Sequence, residues 1–257
     1  MTVMCKIPKV CIINSPVSAL PFERQIDTII EWAKYKVGKF VCVANVHMLM
    51  EAYWDKSFHS VLRDADLVTP DGMPLVWVIR ALGFKNQNRV AGLDILLAVC
   101  QRAEASSQSV FFVGSTEETL RGIRSRLAKD FPKLHVAGMV SPPFRPMTSM
   151  ENQELIDTIN GSGANLVFVA FGCPKQEMWM AQNRTQVNAV MIGLGAAFSL
   201  YAGVYRRAPL WVRQAGLEWL YRLCQEPKRL WKRYGMTIPP FLILALRQVV
   251  LHLSKNV

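Results

Sequence analysis

Acidic residues are few in this 257-residue chain: nineteen Asp and Glu stand against thirty Lys and Arg, a formal charge of +11. Charged residues of both signs make up 19% and hydrophobic ones 51%, which excludes disordered, collagen-like and low-complexity classes. Cysteine is sparse: Cys5, Cys11, Cys42, Cys100, Cys173 and Cys224 include no CxxC motif. None of the four histidines lies beside a cysteine pair, so neither a zinc site nor a disulfide framework is expected. No GxxxxGK[ST] phosphate loop occurs, and Gly193-Leu194-Gly195-Ala196-Ala197-Phe198 lacks the third glycine of a dinucleotide fingerprint. Asp64-Ala65-Asp66 has the spacing of an Asp-Xxx-Asp metal signature, but it lies at the amino-terminal end of a buried strand. Ligands gather at the other end, so no metal is expected.

Long apolar runs are missing as well. Ala189–Val204 is broken by Gly193, Gly195 and Gly203 and falls short of the ~20 residues a bilayer span needs. Phe241–Leu253 follows Pro239-Pro240, which can start a helix but not continue one, and contains Arg247, Gln248 and His252. Those thirteen residues suit a membrane interface rather than a crossing. Met1–Val10 carries Lys6 and Lys9 with no apolar stretch of signal-peptide length behind them. The expectation is a cytoplasmic protein attached to the membrane through its C-terminus.

What the chain does have is a concentrated charge. Residues 205–257 hold ten basic side chains against Glu218 and Glu226, a net +8. The same stretch contains Trp211, Trp219, Tyr221, Trp231, Tyr234 and Phe241. Arginine and lysine interleaved with Trp and Tyr suit an anionic membrane surface, where guanidinium groups meet lipid phosphates and rings sit among headgroups. The same mixture suits nucleic acid through phosphate pairing and stacking, and it also suits an ordinary helical subdomain with a solvated basic face.

The first 200 residues alternate short apolar runs with helical patterns. Val10–Ile13, Phe40–Ala44, Leu67–Thr69, Val110–Val113, Leu134–Ala137, Leu166–Phe171 and Ala189–Ile192 read as strands, mostly buried on both faces. Between them Phe22–Tyr35, Val46–Arg63, Met73–Leu82, Leu93–Ala105, Glu117–Lys129, Met150–Asn160 and Lys175–Arg184 read as helices. Such alternation predicts an α/β fold: a Rossmann-like core, with a mostly parallel sheet flanked by helices, over residues 1–204. Residues 205–257 then form a basic helical C-terminal appendage.

In such sheets ligands gather at the carboxyl ends of strands. Asn45-Val46-His47, Pro70-Asp71-Gly72, Gly114-Ser115-Thr116, Gly172-Cys173-Pro174-Lys175-Gln176-Glu177 and Gly193-Leu194-Gly195 all fall there. Gly114-Ser115-Thr116 can bind a diphosphate through backbone N–H groups at a helix start, or simply connect strand to helix. Asp71 is placed either to take a proton from an attacking hydroxyl or to cap the helix Gly72–Leu82. Arg89 can pair with a phosphate or with that Asp. Asn45 and Gln176 can both donate and accept, as sugar hydroxyls require. His47 is a second acid/base or a structural histidine.

These stretches together resemble the bacterial WecG/TagA/CpsF glycosyltransferase family from about Phe40 to Arg233. The resemblance is carried by Ala65-Asp66-Leu67-Val68-Thr69-Pro70-Asp71-Gly72, Arg89-Val90-Ala91-Gly92-Leu93-Asp94 and Gly172-Cys173-Pro174-Lys175-Gln176-Glu177. It continues through Arg207-Ala208-Pro209, Gly216-Leu217-Glu218-Trp219-Leu220-Tyr221-Arg222-Leu223 and Glu226-Pro227. It implies an inverting, metal-independent transfer from a UDP-sugar, which is a substrate rather than a cofactor, to a polyprenyl-diphosphate-linked saccharide. The product feeds cell-envelope polysaccharide or exopolysaccharide. Asp71 falls on the family's proposed base, with Asn45, Arg89 and Gln176 on other active-site positions. Substrate contacts are expected from Gly114, Ser115, Thr116, Gly172, Lys175, Gly193, Gly195 and Arg207. Arg222, Arg229 and Lys232 match the arginines that the family's appendage places over the site.

The enzyme is then peripheral on the inner face of the cytoplasmic membrane, with an anionic membrane surface as partner and no nucleic acid. A homo-oligomer is also implied, though no segment shows an interface pattern. Val43 stands where some members have Thr, and Ser199 where many have Asp, which bears on donor contacts. Two other classes fit parts of the sequence: a non-catalytic basic membrane- or nucleic-acid-binding module, and another nucleotide-sugar enzyme such as an epimerase.

Overall fold

The computed structural model describes residues 7–255. Cys5, Lys6 and most of the N-terminal stretch read above as lacking a signal pattern lie outside the described residues. In chain order the elements begin with β1 (Lys9–Ile12), β2 (Ser15–Ser18), α1 (Phe22–Lys34), β3 (Lys39–Ala44), α2 (Val46–Trp54) and α3 (Lys56–Asp64). Then come β4 (Leu67–Pro70), α4 (Met73–Ala81), α5 (Gly92–Ala105), β5 (Val110–Gly114), α6 (Glu117–Asp130), β6 (Val136–Val140) and α7 (Ser149–Gly161). The last are β7 (Leu166–Ala170), α8 (Lys175–Asn183), β8 (Val190–Gly193), α9 (Ala197–Ala202), α10 (Leu210–Gln214), α11 (Glu218–Gln225) and α12 (Pro227–Ser254). The chain forms two compact units. One combines residues 7–24, Ala44–Ala91 and residues 207–255; the other spans Gln25–Val43 and Gly92–Arg206.

The second unit carries the parallel sheet. Its strands run in the order β3-β8-β7-β5-β6, each pairing parallel with its neighbour. β5, β7 and β8 are apolar throughout and almost wholly buried, because helices on the faces of a parallel sheet leave no solvent side. Phe112, Phe168 and Phe198 form the aromatic centre of this core, with Phe112 5.0 Å from Phe168 and 5.5 Å from Phe198. At the edge, β6 begins two residues later than the expected Leu134–Ala137. The register with β5 shifts between Val110 and Phe111, which brings Gly138 against the Phe111 ring. α6 starts at Glu117 as expected, capped by Thr116, whose side chain accepts from the Thr119 N–H at 3.2 Å. α7 opens on a reciprocal cap between Thr148 and Glu151.

The first unit is built around helices. β1 and β2 form an antiparallel hairpin, not a strand of the parallel sheet as expected for Val10–Ile13, and β2 had no signal of its own. Its two turn residues, Ile13 and Asn14, have φ of 46° and 67°, which suits the right-handed twist of a tight hairpin. Gln248 of α12 holds that turn, accepting from the Ile13 N–H at 3.1 Å and donating to the Cys11 carbonyl at 2.6 Å. The single helix expected over Val46–Arg63 breaks at Asp55. That residue is extended, and its carboxylate accepts from the Ser57 and Phe58 N–H groups, so it starts a new helix, α3.

α12 corrects another expectation. It does not begin after Pro239-Pro240 but runs unbroken for 28 residues from Pro227. Pro227 occupies the first turn, where a missing N–H costs nothing, and packing of one face stabilises the helix through the internal pair. Leu230, Thr237, Phe241 and Ala245 are its buried residues, at spacings of seven, four and four, and it packs on α2 and α4. By length and composition this helix is long and apolar enough to cross a membrane, which the thirteen-residue reading did not anticipate. The five described cysteines, Cys11, Cys42, Cys100, Cys173 and Cys224, are free thiols.

Candidate active site

Both neighbourhoods of interest lie at the carboxyl ends of strands, one in each unit. In the first unit, the Asp71 N–H donates to the Ala44 carbonyl at 2.8 Å, and the Val90 N–H donates to Pro70 at 2.9 Å. These two backbone bonds hold the Asn45, Asp71 and Arg89 segments together. The Arg89 Nε donates to the Asp71 main-chain carbonyl at 2.7 Å, and its Nη2 lies 3.7 Å from the Asp71 carboxylate. The same Nη2 makes an ion pair of 2.6 Å with Glu218, the first residue of α11. One guanidinium therefore spans two carboxylates, all three side chains being only partly exposed. The residue at the N-cap of α4 is Gly72, so the alternative cap role is not Asp71's.

A cavity of about 270 Å³ opens beside this cluster, lined by Asn45, His47, Asp71, Arg89, Arg213, Glu218, Arg222 and Arg233 among polar residues. Trp77, Leu217, Trp219, Leu230, Ile238, Phe241 and Leu242 supply its apolar wall. The Asn45 side-chain oxygen, Oδ1, accepts from the Met48 N–H at 3.1 Å and caps α2, which fixes the side chain. Burial, with the Arg233 charge second, pushes His47 down to about 4, so it is neutral at pH 7; its Nδ1 lies 3.5 Å from Glu51. Burial raises the Tyr234 hydroxyl, an effect that arginines including Arg222 and Arg233 oppose. Gly216 has φ 73°, and a Cβ there would sit 2.7 Å from the Trp77 ring, so only glycine lets the chain pass.

Of the appendage residues expected near a ligand, Arg222 lines this cavity, with Glu226 3.8 Å from its guanidinium. Arg229 ion-pairs with the buried Glu226 at 2.5 Å, and Lys232 lies over the Trp231 ring at 5.7 Å; neither lines the cavity. Arg207 is partly exposed and outside the lining too. Arg213 and Arg233 take cavity positions that the sequence reading did not single out. Glu218 was likewise missed: it stood within a quoted stretch, but only the fold shows that it faces Arg89.

In the second unit, Gln176 is 4% exposed and both ends of its amide are engaged. Its Oε1 accepts from the Gly172 N–H at 3.2 Å, and its Nε2 donates to Glu177 at 2.7 Å. A Cβ at Gly193 would meet Gln176 Nε2 at 2.9 Å, and one at Gly195, where φ is 49°, would meet its Oε1 at 3.3 Å. The glycines after β8 thus make room for this amide. Glu177 is fully buried, and desolvation raises its carboxyl to about 7 against weaker lowering by hydrogen bonds, the Gln176 amide first. Lys175 is exposed at the start of α8. Gly114 (φ 105°) and Ser115 (φ 63°) form a tight turn whose Ser115 N–H donates to the Ala170 carbonyl at 3.1 Å. A Cβ at Gly114 would be 2.6 Å from that carbonyl, so close strand packing accounts for the glycine.

A parallel α/β unit, joined in one chain to a unit that sets a carboxylate under an arginine beside a cationic cavity, has the build of a group-transfer enzyme. The chain matches the Glycosyl transferase WecG/TagA/CpsF family over residues 10–255 and belongs to it, so the class is that of a glycosyltransferase. The match extends beyond the Phe40–Arg233 stretch on which the resemblance rests. Among its relatives is an N-acetylglucosaminyldiphosphoundecaprenol N-acetyl-beta-D-mannosaminyltransferase of Bacillus spizizenii, 32% identical over 82% of this chain and 79% of the relative. A protein of the same name from Bacillus subtilis (strain 168) is 29% identical over 83% of this chain and 81% of its own length.

Proposed function

We propose that the chain transfers an N-acetylhexosamine from a UDP-sugar to a polyprenyl-diphosphate-linked saccharide, with inversion and with Asp71 as general base. The observation that carries this reading is the Arg89 bridge, which holds Asp71 by its main chain, with its carboxylate 3.7 Å from the guanidinium and the residue in the cavity lining. An acceptor hydroxyl ionises far above pH 7, so an in-line displacement needs a base at the attacking oxygen; such a base contributes ~10²–10⁴-fold. The relatives' names supply the substrate class: an N-acetylglucosaminyl-diphospho-polyprenol acceptor and a β-linked product. From an α-linked nucleotide sugar, a β product requires inversion, which one displacement by an activated hydroxyl achieves.

Negative charge grows on the departing nucleoside diphosphate. Arg89 and Arg213 line the cavity and can balance it; backbone N–H groups at a helix start such as Gly114-Ser115-Thr116 are suited to a phosphate in their own unit. In this reading Gln176, its amide held by Gly172 and Glu177, keeps one N–H for a substrate hydroxyl. Gly172, Lys175, Gly193, Gly195 and Arg207 remain donor or acceptor contacts of the same proposal, as do Arg229 and Lys232. The chain works at the inner surface of the cytoplasmic membrane, where its lipid-linked acceptor resides. It requires no metal.

The test is transfer from a panel of UDP-sugars, UDP-N-acetylmannosamine first, to a short-chain N-acetylglucosaminyl-diphospho-lipid, read by mass spectrometry in EDTA. Asp71→Asn is expected to lower kcat by at least ~10²-fold while leaving donor binding in place. Near-wild-type turnover by that variant removes Asp71 as the base, and loss of all activity in EDTA removes metal independence.

A further inference from the structure

The cavity of the first unit changes character along α12. Its lining includes Arg233 and then, in the following turns, Thr237, Ile238, Phe241 and Leu242. From Arg233 to Leu242 the helix rises roughly 13 Å, and over that distance the wall passes from cationic to apolar. Trp77 lines the same cavity and is 50% exposed, and Leu242 is 54% exposed, so an apolar rim meets solvent. The exposure continues in line: Leu242, Leu246, Val250 and Leu253 recur at four, four and three residues and all remain exposed. A sugar nucleotide, polar over its whole length, gives no reason for such a strip. An amphiphile with an anionic head and a hydrocarbon tail does.

We propose that this cavity is the seat of the first isoprene units of the acceptor, which lie over Trp77 and Leu242 and pass onto the Leu246–Val250 strip. The diphosphate then meets Arg222 and Arg233, and the sugar reaches Asp71. The inference rests on the acceptor proposed above and adds to it that the lipid is recognised by the protein, not only by the bilayer. A volume of about 270 Å³ holds only the head of a long prenyl chain, so the remainder stays outside.

Detergent-free kinetics without vesicles test this, because no membrane then concentrates the acceptor. Two N-acetylglucosaminyl diphosphate esters are compared, one of farnesol and one of methanol, with the same UDP-sugar. The farnesyl ester is expected to show a KM at least ~10-fold lower, since burying several methylene groups contributes that much readily. Leu242→Ser and, separately, Trp77→Ala are expected to cut this KM ratio several-fold. A ratio of KM values within one variant is insensitive to partial loss of folded protein. Equal KM values for the two esters in the wild type, or a ratio unchanged in both variants, overturn the inference while the transfer reaction stands. Turnover of neither ester overturns the proposed acceptor and this inference with it.

Discussion

A carboxyl group that is 0% exposed is held at a cost even where hydrogen bonds reach it, and Glu177, to which the Gln176 amide donates, is in that position. Burial raises its folded-state pKa from 4.5 to about 7, so the folded protein keeps a proton that the unfolded chain has released between those values. Stability therefore declines as pH rises through that window and is lowest above it. Glu177→Gln removes the ionisation. The variant is expected to be more stable than the wild type at pH 8 by about 2–3 kcal/mol, with the gap closing toward pH 4.5. Urea denaturation at pH 5 and pH 8 checks this; a wild type that gains stability over the variant between the two would contradict it. His47 has the opposite sign. Its pKa is depressed to about 4, so its neutral form is favoured by folding and that contribution is lost as pH falls below 6.5.

At the scale of elements, small polar residues decide where helices begin. Asp55 divides what the apolar pattern offers as one helix into α2 and α3, because two N–H groups find its carboxylate there. Thr116 has a similar local role in the turn before α6, where the proposed function also places a substrate contact. Its hydroxyl accepts from the Thr119 N–H at 3.2 Å and lies 2.9 Å from the Thr119 hydroxyl. Thr116→Ala is therefore expected to lower stability by about 1 kcal/mol. Thermal and urea unfolding read this directly. An unchanged midpoint would free the hydroxyl from its structural duty and strengthen the case for a ligand contact.

At the scale of the whole molecule, the +11 charge and the exposed apolar face of α12 belong to one property. A helix with Leu230, Thr237, Phe241 and Ala245 packed against its own unit keeps those residues out of lipid, while Leu242, Leu246 and Val250 face outward. That division favours lying along a membrane surface over crossing it. The full chain is expected to sediment with phosphatidylglycerol-containing vesicles, and less so as salt rises to ~0.5 M. Leu246→Asp is expected to weaken the association at every salt concentration. Binding to purely zwitterionic vesicles that equals binding to anionic ones would contradict an electrostatic contribution.

The α/β alternation, the basic aromatic tail and the polar junctions at strand ends are all written into local residue patterns. Apolar runs such as Val110–Val113 and Leu166–Phe171 can be buried only inside a sheet covered on both faces. The helix beginning at Glu117 was legible too, because its pattern is local and so is the cap that starts it. The break at Asp55 was not, because the apolar pattern runs on and the cap outweighs it only locally. The Gln248 clamp on the Ile13-Asn14 turn spans 235 residues, and no local pattern announces it. Tertiary structure alone decided that Arg89 faces Glu218 as well as Asp71, and that Arg233 lines the cavity while Lys232, one residue earlier, stacks outside on Trp231. The physical reason is rotation: successive residues on a helix point about 100° apart, so which cation faces a cavity depends on how α12 is turned when its apolar face packs.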